Sequence, residues 1–405
     1  MEPEIQPPQP EARLAGSATE AAPAPATVAL SLEERFYCWM NWCLSGSQGL
    51  RAGWLLLIFL FLNGFPGHAG LFTYIAGTAF YLFHPGDFSN MDHITASLAC
   101  LEKLIEFLSL VGAMAAMALI EGRRSLLAYN LTGPRRTPHF LSGLAAGFLA
   151  LSALVGAMAW GGWLHFGSRT LSGAHIFKYG ALWGCAFLLV GCVEEGTFRG
   201  YLQFTLTRGI NFWWALGIIG LVCIELLHRN KGNGVWGVYA VALLGLIPCL
   251  WLQLKKTPGA GFWQSAWVTS TLFGYVHTGN GGENWIGIFA AALIGFVFCV
   301  SVWVTGTAWW AIGCHAAWDW AETFFYGTAD SGLVAPGHYL SSTPSGNVLW
   351  SGGTDGPEGS LLVLGAILLL LAALLVIYGR RNVNAKDGAS RPGWPSVGES
   401  HSSIV

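Results

Sequence analysis

Two adjacent carboxylates sit where an apolar helix is expected. Glu194 and Glu195 follow the apolar run 181–190 and precede Gly196-Thr197-Phe198-Arg199-Gly200. An ionisable side chain in hydrocarbon costs at least about 2.5 kcal/mol on the insertion scale, so its default reading is a functional site. Glu195 and Arg199 are four apart, share a helix face and can pair. Glu194 points about 100° away around the same helix and is free to face elsewhere. One carboxylate is thus charge-balanced. The other can act as a base, since desolvation strengthens a carboxylate for general-base work near neutral pH.

Two further clusters lie later in the chain. Phe273-Gly-Tyr-Val-His277 puts a ring beside an imidazole at four-residue spacing, and His315-Ala-Ala-Trp-Asp319 repeats that spacing with a carboxylate. Asp319 can accept from a ring N–H and fix the tautomer of His315. Glu194, His277 and His315, from three separate segments, could converge on one water. They could activate it directly or hold a divalent metal such as zinc that does so. Taken singly, either histidine could instead serve helix–helix hydrogen bonding. HExxH, GxSxG and GxxxxGK[ST] are absent from the sequence, so an ordinary zincin, a serine-hydrolase elbow and a P-loop have no support.

These residues must be positioned by membrane helices. Of 405 residues 53% are hydrophobic and only 10% charged, far below the roughly 25% of a soluble domain. Mean hydropathy is +0.50. The composition calls for an all-α polytopic membrane helix bundle, with the lipid bilayer as its first partner. A net charge of −2 gives no bias toward nucleic acid. The nine cysteines form no CxxC pair and read as small apolar residues.

Runs near 20 apolar residues predict about ten transmembrane helices, at 52–82, 97–120, 140–163, 179–206, 212–227, 236–252, 263–277, 285–304, 309–325 and 361–377. Arg123, Arg124, Arg135 and Arg136 lie between the second and third spans and assign that loop to the cytoplasm. Ten spans then leave both termini cytoplasmic in an integral multi-pass protein of the cell (inner) membrane. In this reading 1–31 is a disordered tail rich in Pro and Ala. Segment 32–170 holds an amphipathic interfacial helix and about three spans, and 171–325 holds the catalytic core, with inserted helices near 216–256. Segment 326–360 is an extracytoplasmic loop, 361–379 the last span, and 380–405 a disordered tail. Asn130-Leu131-Thr132 matches a glycosylation pattern but falls in the loop assigned to the cytoplasm.

The order EExxxR, FxxxH, HxxxD resembles the CAAX-protease and bacteriocin-processing family of intramembrane proteases, which includes the type II CAAX prenyl endopeptidases. The matching residues are Glu194, Glu195 and Arg199, then Phe273 and His277, then His315 and Asp319, and the resemblance covers 179–325. It implies an all-helical membrane fold with a polar intramembrane catalytic cavity, and an endopeptidase acting on a membrane-associated peptide or protein substrate through a glutamate-activated water. Glu194 would be the general base, and His277 would bind the water or a metal. His315 and Asp319 would hold the oxyanion or that water, with Glu195 and Arg199 as the supporting pair. Asp319 stands where many members have Asn. An ionised Asp cannot donate to an oxyanion, so here it either orients His315 or is protonated. The alternatives are a non-catalytic bacteriocin-immunity or scaffold protein and, from another class, an ion-coupled transporter.

Overall fold

The computed structural model describes residues 31–46, 49–65, 68–83, 95–123, 125–229, 235–257 and 259–379. The expected tails 1–31 and 380–405 lie outside these residues, Ser31 excepted. Helix α1 (Leu32–Leu44) belongs to a unit of its own. It opens on a capping box, in which the Ser31 hydroxyl accepts from the Glu34 N–H and the Glu34 carboxylate accepts from the Ser31 N–H. Phe36, Tyr37, Trp39 and Trp42 are exposed on it.

From Gly46 onward the chain forms a helix bundle. Its helices are α2 (Ala52–Asn63), α3 (Leu71–Phe83), α4 (Ala96–Ile120), α5 (Arg136–Trp160), α6 (Ala174–Glu195), α7 (Gln203–Thr207), α8 (Phe212–Arg229), α9 (Val235–Lys255), α10 (Ala260–His277), α11 (Trp285–Thr305), α12 (Trp309–Trp320), the single turn α13 (Val348–Ser351) and α14 (Leu362–Leu374). Each of the ten expected segments coincides with one of these helices or a consecutive pair. Seven of the described helices are long and apolar enough to cross a membrane: α4, α5, α6 with its continuation to Thr207, α8, α9, α11, and α14 with its extension to Gly379. The chain is a multi-pass membrane protein.

The shortfall from ten has physical causes. The expected span 52–82 is split into α2 and α3, of 12 and 13 residues, each short for about 30 Å of hydrocarbon. Helix α10 carries Gln264, Ser265, Thr269 and Ser270, all buried, and α12 has 12 residues with His315 and Asp319 among them. The two polar helices that carry the histidine motifs are also largely buried, so their polar groups face protein. The stretch 216–256, expected to add two spans, forms most of α8 and α9.

Close backbone approach sets how α12 sits. Gly143 and Gly147 of α5 face the backbone of Trp310 and Cys314, and Gly191 of α6 faces the Ile312 carbonyl and Ala316. Small residues at membrane helix crossings let backbones meet and van der Waals packing hold them. The π-helical turns Gly196–Leu202 and Ala321–Tyr326 directly follow α6 and α12. The segment 326–360 carries no apolar periodicity, yet it is built. Strand Leu340–Pro344 pairs antiparallel with Leu164–Arg169, and Asn284 Nδ2 donates to the Gly359 carbonyl at 3.0 Å. The nine cysteines are all free. Cys249, Cys299 and Cys314 are buried as expected, whereas Cys38 and Cys185 are exposed.

Candidate active site

The first motif straddles the junction between α6 and its π-helical turn. Glu195 is the last α-helical residue and Arg199 lies within the turn, and both are fully buried. Arg199 Nη1 donates to Glu195 Oε1 at 3.2 Å. The guanidinium lies 4.3 Å from the Phe273 ring centre, with Phe198 and Phe298 at 5.6 and 5.5 Å. An aromatic cage of this kind is a low-cost environment for a cation out of water. Gly295 leaves it room, because a Cβ there would stand 2.5 Å from Arg199 Nη2. Asn130 closes the turn from outside, its amide donating to the Arg199 carbonyl at 2.7 Å. A π turn displaces backbone groups from the α-helical ladder, and such turns are frequent at functional sites. The amide of the would-be glycosylation asparagine is therefore occupied and buried.

The same Glu195 oxygen reaches across to α12. His315 Nδ1 lies 3.0 Å from Glu195 Oε1. A carboxylate only accepts, so Nδ1 carries the proton and Nε2 is the ring atom left for chemistry. Nε2 faces Asp319 Oδ2 at 3.4 Å and Glu194 Oε2 at 4.0 Å. Asp319 does face the His315 ring, but it shares that edge with Glu194, and the shorter contact is the one from Nδ1 to Glu195. Phe298 stacks on the imidazole, with ring centres 5.9 Å apart. Glu194, unlike its neighbour, keeps 34% of its side chain exposed.

His277 is the last residue of α10, at the helix end where the sequence put it. Its Nδ1 lies 2.7 Å from the Phe273 carbonyl, one turn back. A carbonyl cannot donate, so Nδ1–H does, which leaves Nε2 as the ring atom for chemistry. His277, His315 and Asp319 line one cavity of about 50 Å³, room for a few waters. Its remaining wall is Phe273, Phe298 and Trp318 with aliphatic residues of α11 and α14, and Glu358. Glu194 approaches His315 beside this cavity and is not among its lining residues.

Glu358 carries no signal in the sequence, since it lies in an aperiodic segment. It arrives with neighbours. Trp318 Nε1 donates both to Glu358 Oε1 at 2.8 Å and to Glu322 Oε2 at 3.1 Å. Asp330 Oδ2 accepts from Thr323 Oγ1 at 2.9 Å, and Asp355 Oδ2 accepts from the Asn284 N–H at 3.0 Å. Burial pushes the Asp330 carboxyl up to about 6 against the Thr323 hydrogen bond, and the Asp355 carboxyl up to about 7 against the Asn284 hydrogen bond. Burial also raises Glu358 well above the ordinary range, with Asp330 adding to it.

Glu194, His277 and His315 offer ligand types suited to zinc, but their ligand atoms are not grouped within 4.8 Å of one another. Among the described residues that spacing occurs for Glu322, Asp330 and Glu358. As posed, the first trio does not close a three-ligand metal site.

Residues 248–321 match the family described as Type II CAAX prenyl endopeptidase Rce1-like. No curated protein and no solved structure matches the chain. The matched segment runs from within α9 to the end of α12. It holds His277, His315 and Asp319, while Glu194, Glu195 and Arg199 lie outside it. Carried by this Rce1-like segment, the match supports the kinship of the chain with the CAAX-protease and bacteriocin-processing family to which the three motifs pointed.

Proposed function

We propose that the protein is an intramembrane endopeptidase in which Glu194 takes a proton from a water lying between it and the Nε2 atoms of His315 and His277. The observation that carries this reading is the arrangement of His315: Glu195 holds Nδ1, and Nε2 faces Glu194 at 4.0 Å on the edge of the cavity that His277 also lines. The water, deprotonated by Glu194, attacks the scissile carbonyl, and Glu194 returns that proton to the amine nitrogen as the C–N bond breaks. His315 holds the water at Nε2 or, when that nitrogen is protonated, the developing oxyanion, while Asp319 orients its ring. An oxyanion donor of this kind contributes about 3–4 kcal/mol in acyl transfer. Arg199 neutralises Glu195, so His315 is held without importing net negative charge. The aliphatic wall from α11 and α14 suits an apolar stretch of a membrane-associated peptide or protein. The chain resides in the cell membrane with both termini cytoplasmic, which requires α2 with α3, α10 and α12 to complete three further crossings.

Purified protein cleaving a membrane-tethered peptide reporter, with Glu194→Gln reducing cleavage by about 100-fold or more, is the expected result. Equal cleavage by wild type and Glu194→Gln would remove Glu194 from the reaction. Comparing membrane peptides between cells carrying the wild type and the variant identifies the substrate in the same test.

A further inference from the structure

The cluster beyond the end of α12 has no part in the protease reading. Glu322, Asp330 and Glu358 each place a carboxylate oxygen within 4.8 Å of the others. No described Lys or Arg forms an ion pair with any of them. Glu322 is fully buried, and its Oε1 has no hydrogen-bond partner. A buried, unpartnered carboxylate oxygen bears a desolvation cost that something must offset. The other oxygens are already held: Trp318 donates one N–H to both Glu322 Oε2 and Glu358 Oε1, and Thr323 donates to Asp330 Oδ2. Carboxylates anchored by outer donors, each with an oxygen to spare, are how oxygen-ligand metal sites are organised. Two carboxylates drawn onto one N–H also repel each other unless one takes up a proton or a cation lies between them.

We propose that Glu322, Asp330 and Glu358 bind a hard divalent cation of calcium size, which clamps the 326–360 segment onto the end of α12. An all-carboxylate set selects calcium, magnesium or manganese over softer metals. The ligand oxygens lie within 4.8 Å of one another, a spacing that either ion can meet. Calcium accepts flexible geometry, whereas magnesium demands near-ideal octahedral geometry and dehydrates reluctantly, so a largely buried carboxylate set suits calcium. The three ligands come from the π-helical turn after α12, from the Asp330 turn and from the turn Pro357–Gly359. One ion therefore ties three parts of the chain at the cavity wall to which Glu358 belongs.

The test uses the full-length protein in detergent, stripped with EDTA and titrated with calcium, magnesium or manganese chloride. Isothermal calorimetry gives stoichiometry and thermal unfolding gives the stability response. Wild type is expected to bind one calcium per chain and gain at least about 3 °C in Tm at saturation. Glu358→Gln keeps an acceptor for Trp318 Nε1, so it folds, yet it should weaken calcium binding at least tenfold and lose the Tm response. Asp330→Asn should do the same, while Glu194→Gln retains both. The proposal is overturned if none of the three ions binds stoichiometrically, if binding is unchanged in both Glu358→Gln and Asp330→Asn, or if Glu194→Gln alone abolishes it.

Discussion

The junction of α6 with α12 and the carboxylate cluster beyond α12 both bury charge, and they balance it in opposite ways. At the junction the buried charges pair within the chain: Arg199 and His315 share one oxygen of Glu195, although Glu195 Oε2 and Arg199 Nε and Nη2 make no hydrogen bond. Beyond α12, Glu322, Asp330 and Glu358 face one another with only neutral donors around them. The first arrangement is closed and fixes a geometry. The second is open, and its stability depends on what it takes from solution, whether protons or an ion. Removing a charge should therefore destabilise the first region and relieve the second.

The sharpest way to break that contrast is Arg199→Met. It leaves Glu195 buried and uncompensated, which should cost about 3–5 kcal/mol and deplete folded protein from the membrane. Folded yield and thermal unfolding measure it, and a variant as stable as wild type would mean that the junction is not closed by its own charges. Asn130→Ala should cost about 1–3 kcal/mol in the same assay, because the Arg199 carbonyl loses its buried donor. Gly295→Ala should cost about 1–2 kcal/mol, as its methyl displaces the guanidinium from its place over Phe273. Activity should fall in parallel if Arg199 positions Glu195.

The smallest effect has the opposite sign. The Asp355 carboxyl, near this cluster, is pushed by burial from 3.8 up to about 7. The folded state therefore binds its proton more tightly than the unfolded state. That contribution to stability is complete below about pH 4 and lost as pH rises through about 7. Asp355→Asn keeps an acceptor for the Asn284 N–H and has no proton to lose. Its Tm should exceed that of wild type by a few degrees at pH 8, and the gap should close by pH 5. A pH-independent gap would mean that Asp355 does not titrate with folding.

Much of the junction was legible from spacing. Four-residue intervals put Glu195 with Arg199 and Phe273 with His277 on shared faces, and the structure shows the first at 3.2 Å and the second with rings 4.7 Å apart. The link from Glu195 to His315 was not legible. It depends on where α6 crosses α12, and that is set by Gly191 against Ile312 and Ala316 rather than by the motif residues. Neither α10 nor α12, which carry the histidines, is among the helices long and apolar enough to cross a membrane, since a helix buried in the bundle need not be apolar all round. Glu358 and Asp330 could not be found because aperiodic sequence does not say what it folds against. The π-helical turns were invisible for a similar reason, as nothing in Gly196–Leu202 distinguishes a widened turn from an ordinary one.

That widened turn constrains how the chain can vary in length. A π turn accommodates one residue more than the α-helical turn it replaces, so the helix beyond it keeps its direction while its numbering is offset by one. Deleting a single residue between Gly196 and Leu202 could restore regular α-helix without breaking the rod. The helix beyond the turn would stay in place, but a deletion before Arg199 would shorten its interval from Glu195 from four residues to three. Arg199 would then leave the ring of Phe273, and the Asn130 amide would lose its carbonyl. Alignment gaps among active relatives should therefore avoid the stretch between Glu195 and Arg199.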